Sequence, residues 1–395
     1  MGKFELTNKE RKFFGLDPII DTWERVIFAG DRYRPESVLY FDGQIIKRHI
    51  VTTREEYFEK HFDELTRDRS VLLPKTSRGK EKKLTAATLE QRKPHGVYLS
   101  VHRSRGLSVG SYASQTSFYR SDWEMRVGGD EDPQFLIRDF IQNSPVNHLD
   151  EIQKFKTLRR KHIRFKSGDY FCMKLNRTEF GFGRVLLDIH ELRKVGDLPR
   201  THGLNLIMMM PVLVQLYAFK SDSKHIDLSV LDQCSKLPAA LMADNLLLYG
   251  EYEIIGHEKL EEREFDFPIS YGQCIDQRRV VFLQWGLIHK ELPMTRFSKF
   301  IQGEEPYDQN PFGFYSIGFR PHYGTRDVLQ AVSNNGEFDY EESSDYMARR
   351  DLRNPRNEAI RREILSIFGL NPEGSYEENC RLTGTARTTE ILNRT

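Results

Sequence analysis

Short runs of alternating apolar and polar positions fill the first third of the chain. Ser37-Val38-Leu39-Tyr40-Phe41 and Ile45-Ile46-Lys47-Arg48-His49-Ile50-Val51 flank Asp42-Gly43, the pattern of two extended segments joined by a tight hairpin turn. Ser70–Pro74, Gly96–Val101 and Leu107–Tyr112 repeat the theme, with glycine or proline between them. A sheet-containing N-terminal domain follows. The apolar spacing then lengthens. Phe135, Ile137 and Phe140-Ile141 precede a Ser144-Pro145 break, after which Leu149, Ile152, Phe155 and Leu158 recur at three or four residues, which predicts two amphipathic helices. The cations Arg159-Arg160-Lys161-His162 suit a helix C-terminus, and a domain boundary is expected near them.

From Ile163 to about Leu292 the pattern is mainly that of strands. Asp169–Leu175 predicts one strand, Asn176–Glu179 a connection and Phe180–Leu187 its antiparallel return. The apolar run from Leu204 to Phe219 carries Pro211 inside it and so cannot be one regular helix; it is divided into strands, with Val212–Tyr217 the clearer one. Val280–Trp285 predicts another buried strand. Beyond Pro293 glycine, proline and asparagine accumulate, and periodicity returns in Glu358–Leu370, a helix ended by Gly369 with Pro372 beyond it. The last twenty or so residues are polar and are expected to fray. The expected fold class is therefore α+β, mainly antiparallel β-sheet domains with a few peripheral helices. Its expected divisions are an N-terminal α+β domain (residues 1–160), a β-rich domain (161–295) and a C-terminal extension (296–395) with a helix near 356–370.

Composition narrows the class of protein. Of the 395 residues 38% are hydrophobic and 30% charged, which suits a globular chain and not a disordered one. Basic and acidic totals of 59 and 58 leave a formal net charge of +1, so any electrostatic preference must be local. The opening Met1-Gly2-Lys3-Phe4-Glu5-Leu6 lacks the apolar core of a secretory signal, and no run approaches the roughly 20 apolar residues that span a bilayer, so a cytoplasmic protein without a membrane partner is expected. Cys172, Cys234, Cys274 and Cys380 form no CxxC pair and are expected to be reduced.

The chain has no HExxH, GxxxxGK[ST] or paired CxxC, and no cofactor, metal ligand or catalytic residue is expected. His190-Glu191 are adjacent residues that point to different sides of an element. Gly181-Phe182-Gly183 lies inside a strand pattern, without the third glycine or following helix of a nucleotide loop, and reads better as a bulge or a close backbone approach. The basic stretch from Lys75 to Lys83 could grip phosphates, though a solvated loop explains it as well. The opposite charge gathers between Gly250 and Phe267 in Glu251, Glu253, Glu258, Glu261, Glu262, Glu264 and Asp266. Such a surface could steer a basic partner, with Tyr249, Tyr252, Tyr271 or Trp285 as anchors if exposed; the plainer alternative is a charged outer face.

Lys166-Ser167-Gly168-Asp169-Tyr170-Phe171-Cys172-Met173-Lys174-Leu175, followed by Phe180-Gly181-Phe182-Gly183-Arg184-Val185-Leu186, resembles the opening hairpin of the immunity protein 26 (HocA-like) family of bacterial polymorphic toxin systems. The resemblance continues through Pro211–Tyr217 and Glu253–Gly256, over residues 161–295, while Tyr33–Ser37 and Leu72–Thr76 resemble an extension found in longer members. It implies a non-catalytic antitoxin that binds and neutralises a cognate toxin protein in the producing cell. The seven acidic residues are the expected contact. Two rivals remain: a nucleic-acid-binding or phage-defence accessory protein, using Lys75–Lys83 and Arg159–His162, and a hydrolase assembled from His162, Asp169 and His190.

Overall fold

The computed structural model describes residues 4–75, 78–121, 132–195, 198–207, 210–273, 280–297, 324–343 and 348–393. The chain divides into two compact units, Met1–His162 and Ile163–Thr395.

The first unit is built on an antiparallel meander. Strands β1 (Glu24–Phe28), β2 (Ser37–Asp42), β3 (Ile45–Thr52), β4 (Glu56–Arg67), β5 (Val71–Leu72), β6 (Lys82–Lys83), β7 (His95–His102), β8 (Gly106–Ser111) and β9 (Thr116–Arg120) form one sheet. Its order is β1-β2-β3-β4-β7-β8-β9, with the β5–β6 hairpin branching from β4. Helices α1 (Asn8–Arg11), α2 (Ala86–Glu90), α3 (Pro133–Gln142) and α4 (His148–Thr157) complete it. The expected β2–β3 hairpin forms, with Gly43 at φ +58° in its turn. Ile137, Phe140, Ile152 and Phe155 of the two predicted helices pack with Val38, Tyr40, Ile50 and Val97, while Leu39, Phe41, Ile46 and Leu72 form a second cluster. Strand β2 is thus buried on both faces. In its neighbour the pairing register shifts between Ile46 and Arg48, so these two even-numbered isoleucines, Ile46 and Ile50, serve different clusters.

In the second unit β13-β12-β11-β10-β14 form an antiparallel sheet from β10 (Asp169–Lys174), β11 (Phe180–Asp188), β12 (Pro211–Ser221), β13 (Ala240–Ala243) and β14 (Glu253–His257). A three-stranded sheet follows, β15 (Ile269–Gln273), β16 (Val280–Trp285) and β17 (Ile288–Pro293). The helices are α5 (Ile189–Val195), α6 (Gly203–Leu206), α7 (Asn245–Leu248), α8 (Thr325–Ser333), α9 (Glu358–Ile367), α10 (Tyr376–Thr383) and α11 (Thr388–Leu392). This is an α+β fold with antiparallel sheets. Strands β10 to β12 are buried on both faces, which explains their nearly continuous apolar sequences.

Two expectations need correction here. The run Leu204–Phe219 is not strand throughout, since Gly203–Leu206 is a helical turn, and the strand described in it starts at Pro211; proline takes the first strand position, where a missing N–H costs least. Nor do the described residues among the last twenty fray. Helix α10 buries Tyr376 and Cys380, and α11 buries Thr388 and Ile391, in a core shared with Leu283, Ile288, Ile364 and Leu365. A few buried side chains fix these helices despite polar sequences.

Candidate functional site

The β10–β11 hairpin carries its motif for structural reasons that can be traced residue by residue. Gly168 has φ +95°, and a Cβ there would lie 2.2 Å from the Glu258 carbonyl oxygen, so only glycine lets the chain enter β10 against the residues after β14. A Cβ at Gly183 would lie 2.4 Å from the Phe171 ring, which crosses the returning strand at that point. The pairing of β11 with β12 slips between Gly181 and Gly183, as a bulge requires. The Gly-Phe-Gly sequence is a packing device.

Asp169 starts β10 as a buried carboxylate. It accepts the Lys166 N–H at 2.8 Å and lies 2.8 Å from Nδ1 of His257 at the end of β14. The Glu258 N–H donates to the Gly168 carbonyl at 3.1 Å, and the Tyr170 hydroxyl donates to the Glu258 carboxylate at 2.9 Å. From the return strand Arg184, only 4% exposed, donates through Nη2 to the Glu258 carbonyl and through Nη1 to the Glu264 carboxylate. Its guanidinium also sits 4.6 Å from the centre of the Tyr170 ring, which stacks on Tyr217. Burial pushes both phenols up, Tyr217 to about 12, so they act here as neutral hydroxyls. The Gly-Asp-Tyr opening and the Arg of the return strand therefore form a clasp that fixes residues 257–264.

The seven acidic residues have different fates along this fixed segment. Glu264 is held by Arg184; Asp266 accepts from Arg353 Nη1 and from the Ala239 N–H, each at 2.8 Å. Glu262 accepts the N–H groups of Thr388 and Thr389 at 3.0 and 2.9 Å and the Thr389 hydroxyl at 2.7 Å, seating the start of α11. These three carboxylates are engaged inside the unit, because each meets a donor supplied by a distant stretch of chain. Glu251 is half-buried; Glu253, Glu258 and Glu261 are exposed. Glu253 pairs with Lys224 at 2.8 Å and Glu261 with Arg263 at 2.7 Å, both at the surface.

The aromatic anchors do not fill the expected role. Tyr252 and Tyr271 are buried, the former stacked on Phe171 at 5.3 Å, and Trp285 packs on Tyr376 at 5.5 Å; Tyr249 is half-buried. The rings of Tyr252, Tyr271 and Trp285 serve cores. The hydrolase grouping changes as well, since Asp169 pairs with His257 and His190 has Glu191 at 3.8 Å. Among the described residues no three or more His, Cys, Asp and Glu side chains are grouped to hold a metal ion. Cys172, Cys234 and Cys380 are free thiols; Cys274 lies outside the described residues. In the basic stretch Glu81 takes ion pairs from Arg67 at 2.9 Å and Lys75 at 3.2 Å, and Lys82-Lys83 form β6; Thr76 and Ser77 lie outside the described residues.

Sequence reading missed Tyr170, Arg184 and His257 as a group. The one available signal was Arg184 itself, a cation inside the otherwise apolar Phe182–Leu187, which demands a buried partner.

No curated protein and no solved structure matches the chain. Residues 166–280, which hold the hairpin, its clasp and the acidic segment, match the family model described as Immunity protein 26, so the family that the hairpin resembles is the family that this region matches.

Proposed function

We propose that the protein is a cytoplasmic immunity protein that binds a cognate toxin and neutralises it without catalysis. The observation that carries this reading is the family match over residues 166–280, the stretch containing the clasp. The clasp supports a contact surface in a specific way: it holds the end of β14 and the following loop on a rigid sheet, with Glu253, Glu258 and Glu261 exposed. Exposed ion pairs such as Glu253–Lys224 and Glu261–Arg263 contribute only about 0–1 kcal/mol, so a basic partner can exchange them for its own cations at little cost. Complementary charge of this kind speeds association and excludes wrong partners. Glu262, Glu264 and Asp266, engaged within the fold, support that surface from behind.

The test begins with affinity capture of the tagged full chain from its native lysate. The captured partner is then produced alone, to establish that it arrests growth, and together with this protein, to measure protection. Glu253→Lys combined with Glu261→Lys should slow association at least about tenfold at low salt, with a smaller effect at high salt. Protection that survives the double reversal at full strength would remove this face as the contact. A captured partner without toxicity, or retention of nucleic acid released by salt, would remove the antitoxin reading.

A further inference from the structure

The second unit contains a cavity of about 480 Å³ between the approach to β10, helix α5, the end of β14 and helix α11. This lies within the size range of small-ligand sites, about 300–1,000 Å³. Phe165, Leu192, Leu260, Ile391 and Leu392 supply apolar wall. Lys166 and Lys259 supply the cationic groups, His257 an imidazole and Ser167 a hydroxyl.

The balance of charge decides what such a cavity takes. Two acids also line it, but both have partners: Asp188 caps α5 through the N–H groups of His190 and Glu191 at 2.8 and 3.2 Å, and Glu191 pairs with Lys194 at 2.6 Å. The ammonium groups of Lys166 and Lys259 have no such partner among the described residues. His257 is held through Nδ1 by the buried Asp169 carboxylate, which fixes the ring and leaves Nε2 as the nitrogen open to a ligand. Formal charges in the wall balance, two lysines against two carboxylates, but both carboxylates are drawn to partners of their own, so the groups left to meet a ligand are the two ammonium groups, which border an apolar surface. Among the described residues no arginine stands in the wall to offer the planar fork that suits phosphate; separate point-charge donors fit the two oxygens of a carboxylate.

We infer that this cavity is a binding site for a carboxylate carried on an apolar group, either a free aliphatic acid or the C-terminal residue of a peptide. The inference is independent of the toxin-contact reading, since none of Glu253, Glu258 and Glu261 lines the cavity.

The full chain is titrated with sodium octanoate by ligand-detected NMR, with octanol and octylamine as comparators of the same length. Octanoate should saturate and bind at least about tenfold more tightly than either, a difference of about 1.4 kcal/mol. Lys166→Ala with Lys259→Ala, both at exposed positions, should bring octanoate to the level of octanol while the melting temperature is kept. Leu192→Trp, which fills the cavity, should abolish binding. Equal affinity for octanoate and octanol, absence of saturation, or binding that survives either variant overturns the site. A leucine-ending peptide that binds more tightly than octanoate, and loses affinity as its C-terminal amide, identifies a peptide terminus as the source. Binding of octanoate but not of the peptide identifies the free acid.

Discussion

Arg184 shows what a single polar residue in an apolar strand can organise. Its guanidinium joins the Glu264 carboxylate, the Glu258 carbonyl and the Tyr170 ring from a position 4% exposed. Removing one partner from such a group leaves the others desolvated and unpaired, which costs far more than the pair contributes relative to an apolar replacement. Arg184→Ala should therefore destabilise the second unit by about 3 kcal/mol, read as a lower urea midpoint with unchanged slope. Arg184→Lys should recover only part of this loss, because an ammonium cannot reach a carboxylate and a carbonyl in the same plane. Full stability of Arg184→Ala would show that the clasp does not hold the segment. Arg184 was legible in the sequence as a cation inside an apolar strand, and Asp169 only as the residue that opens the hairpin. Their partners were not, since His257 lies 88 positions from Asp169 and nothing local specifies that meeting.

Among the elements, α11 depends most on one contact. It is five residues long, buries Thr388 and Ile391, and receives its first turn from the Glu262 carboxylate. A helix this short has almost no stability of its own. Glu262→Ala should raise hydrogen exchange at Thr388–Leu392 by about tenfold or more while β10 to β12 stay protected, consistent with about 1–3 kcal/mol for charge-assisted bonds. Unchanged exchange would mean that Ile391 alone seats the helix. The same contact bears on the acidic segment, because a charge reversal at Glu262 disturbs α11 and so cannot report cleanly on a partner. The longest strand, β4, escaped sequence reading for a related reason. Its buried positions include Tyr57, Glu59 and His61, and an alternation whose inward side is partly ionic does not look amphipathic. Arg48 and Arg11 complete that buried network around Glu59, each at 2.9 Å.

At the scale of the whole molecule, buried and half-buried histidines in both units link stability to pH. Burial pulls His49 and His202 down to about 4, and burial together with Arg48 pulls His61 down to about 3. An unfolded chain takes protons on these rings below about pH 6.5. Between that value and about 4 the unfolded state binds more protons than the folded one, so stability falls as pH falls through this window. The melting temperature should accordingly drop between about pH 7 and pH 5, and His49→Gln should reduce the slope in the first unit. A flat profile across the window would show that the rings accept protons without opening the fold. The near-cancellation of 59 basic and 58 acidic residues leaves little net self-repulsion near neutrality to mask this effect.

The sequence by itself determined the elements whose signal is local. The β2–β3 and β10–β11 hairpins, β16, the paired helices α3 and α4, and α9 with its terminal glycine all follow from periodicity and turn chemistry over a few residues. It also determined that Gly181-Phe182-Gly183 belongs to a strand, because no helix or third glycine follows. Tertiary structure alone decided how the acidic residues divide between internal clasps and exposed positions, how the polar tail becomes two packed helices, and where a cationic apolar cavity opens. Those outcomes depend on which distant donor meets each carboxylate and which core receives each side chain. A carboxylate is the same chemical group whether it caps a helix or faces water, so its role is settled only by the chain that folds against it.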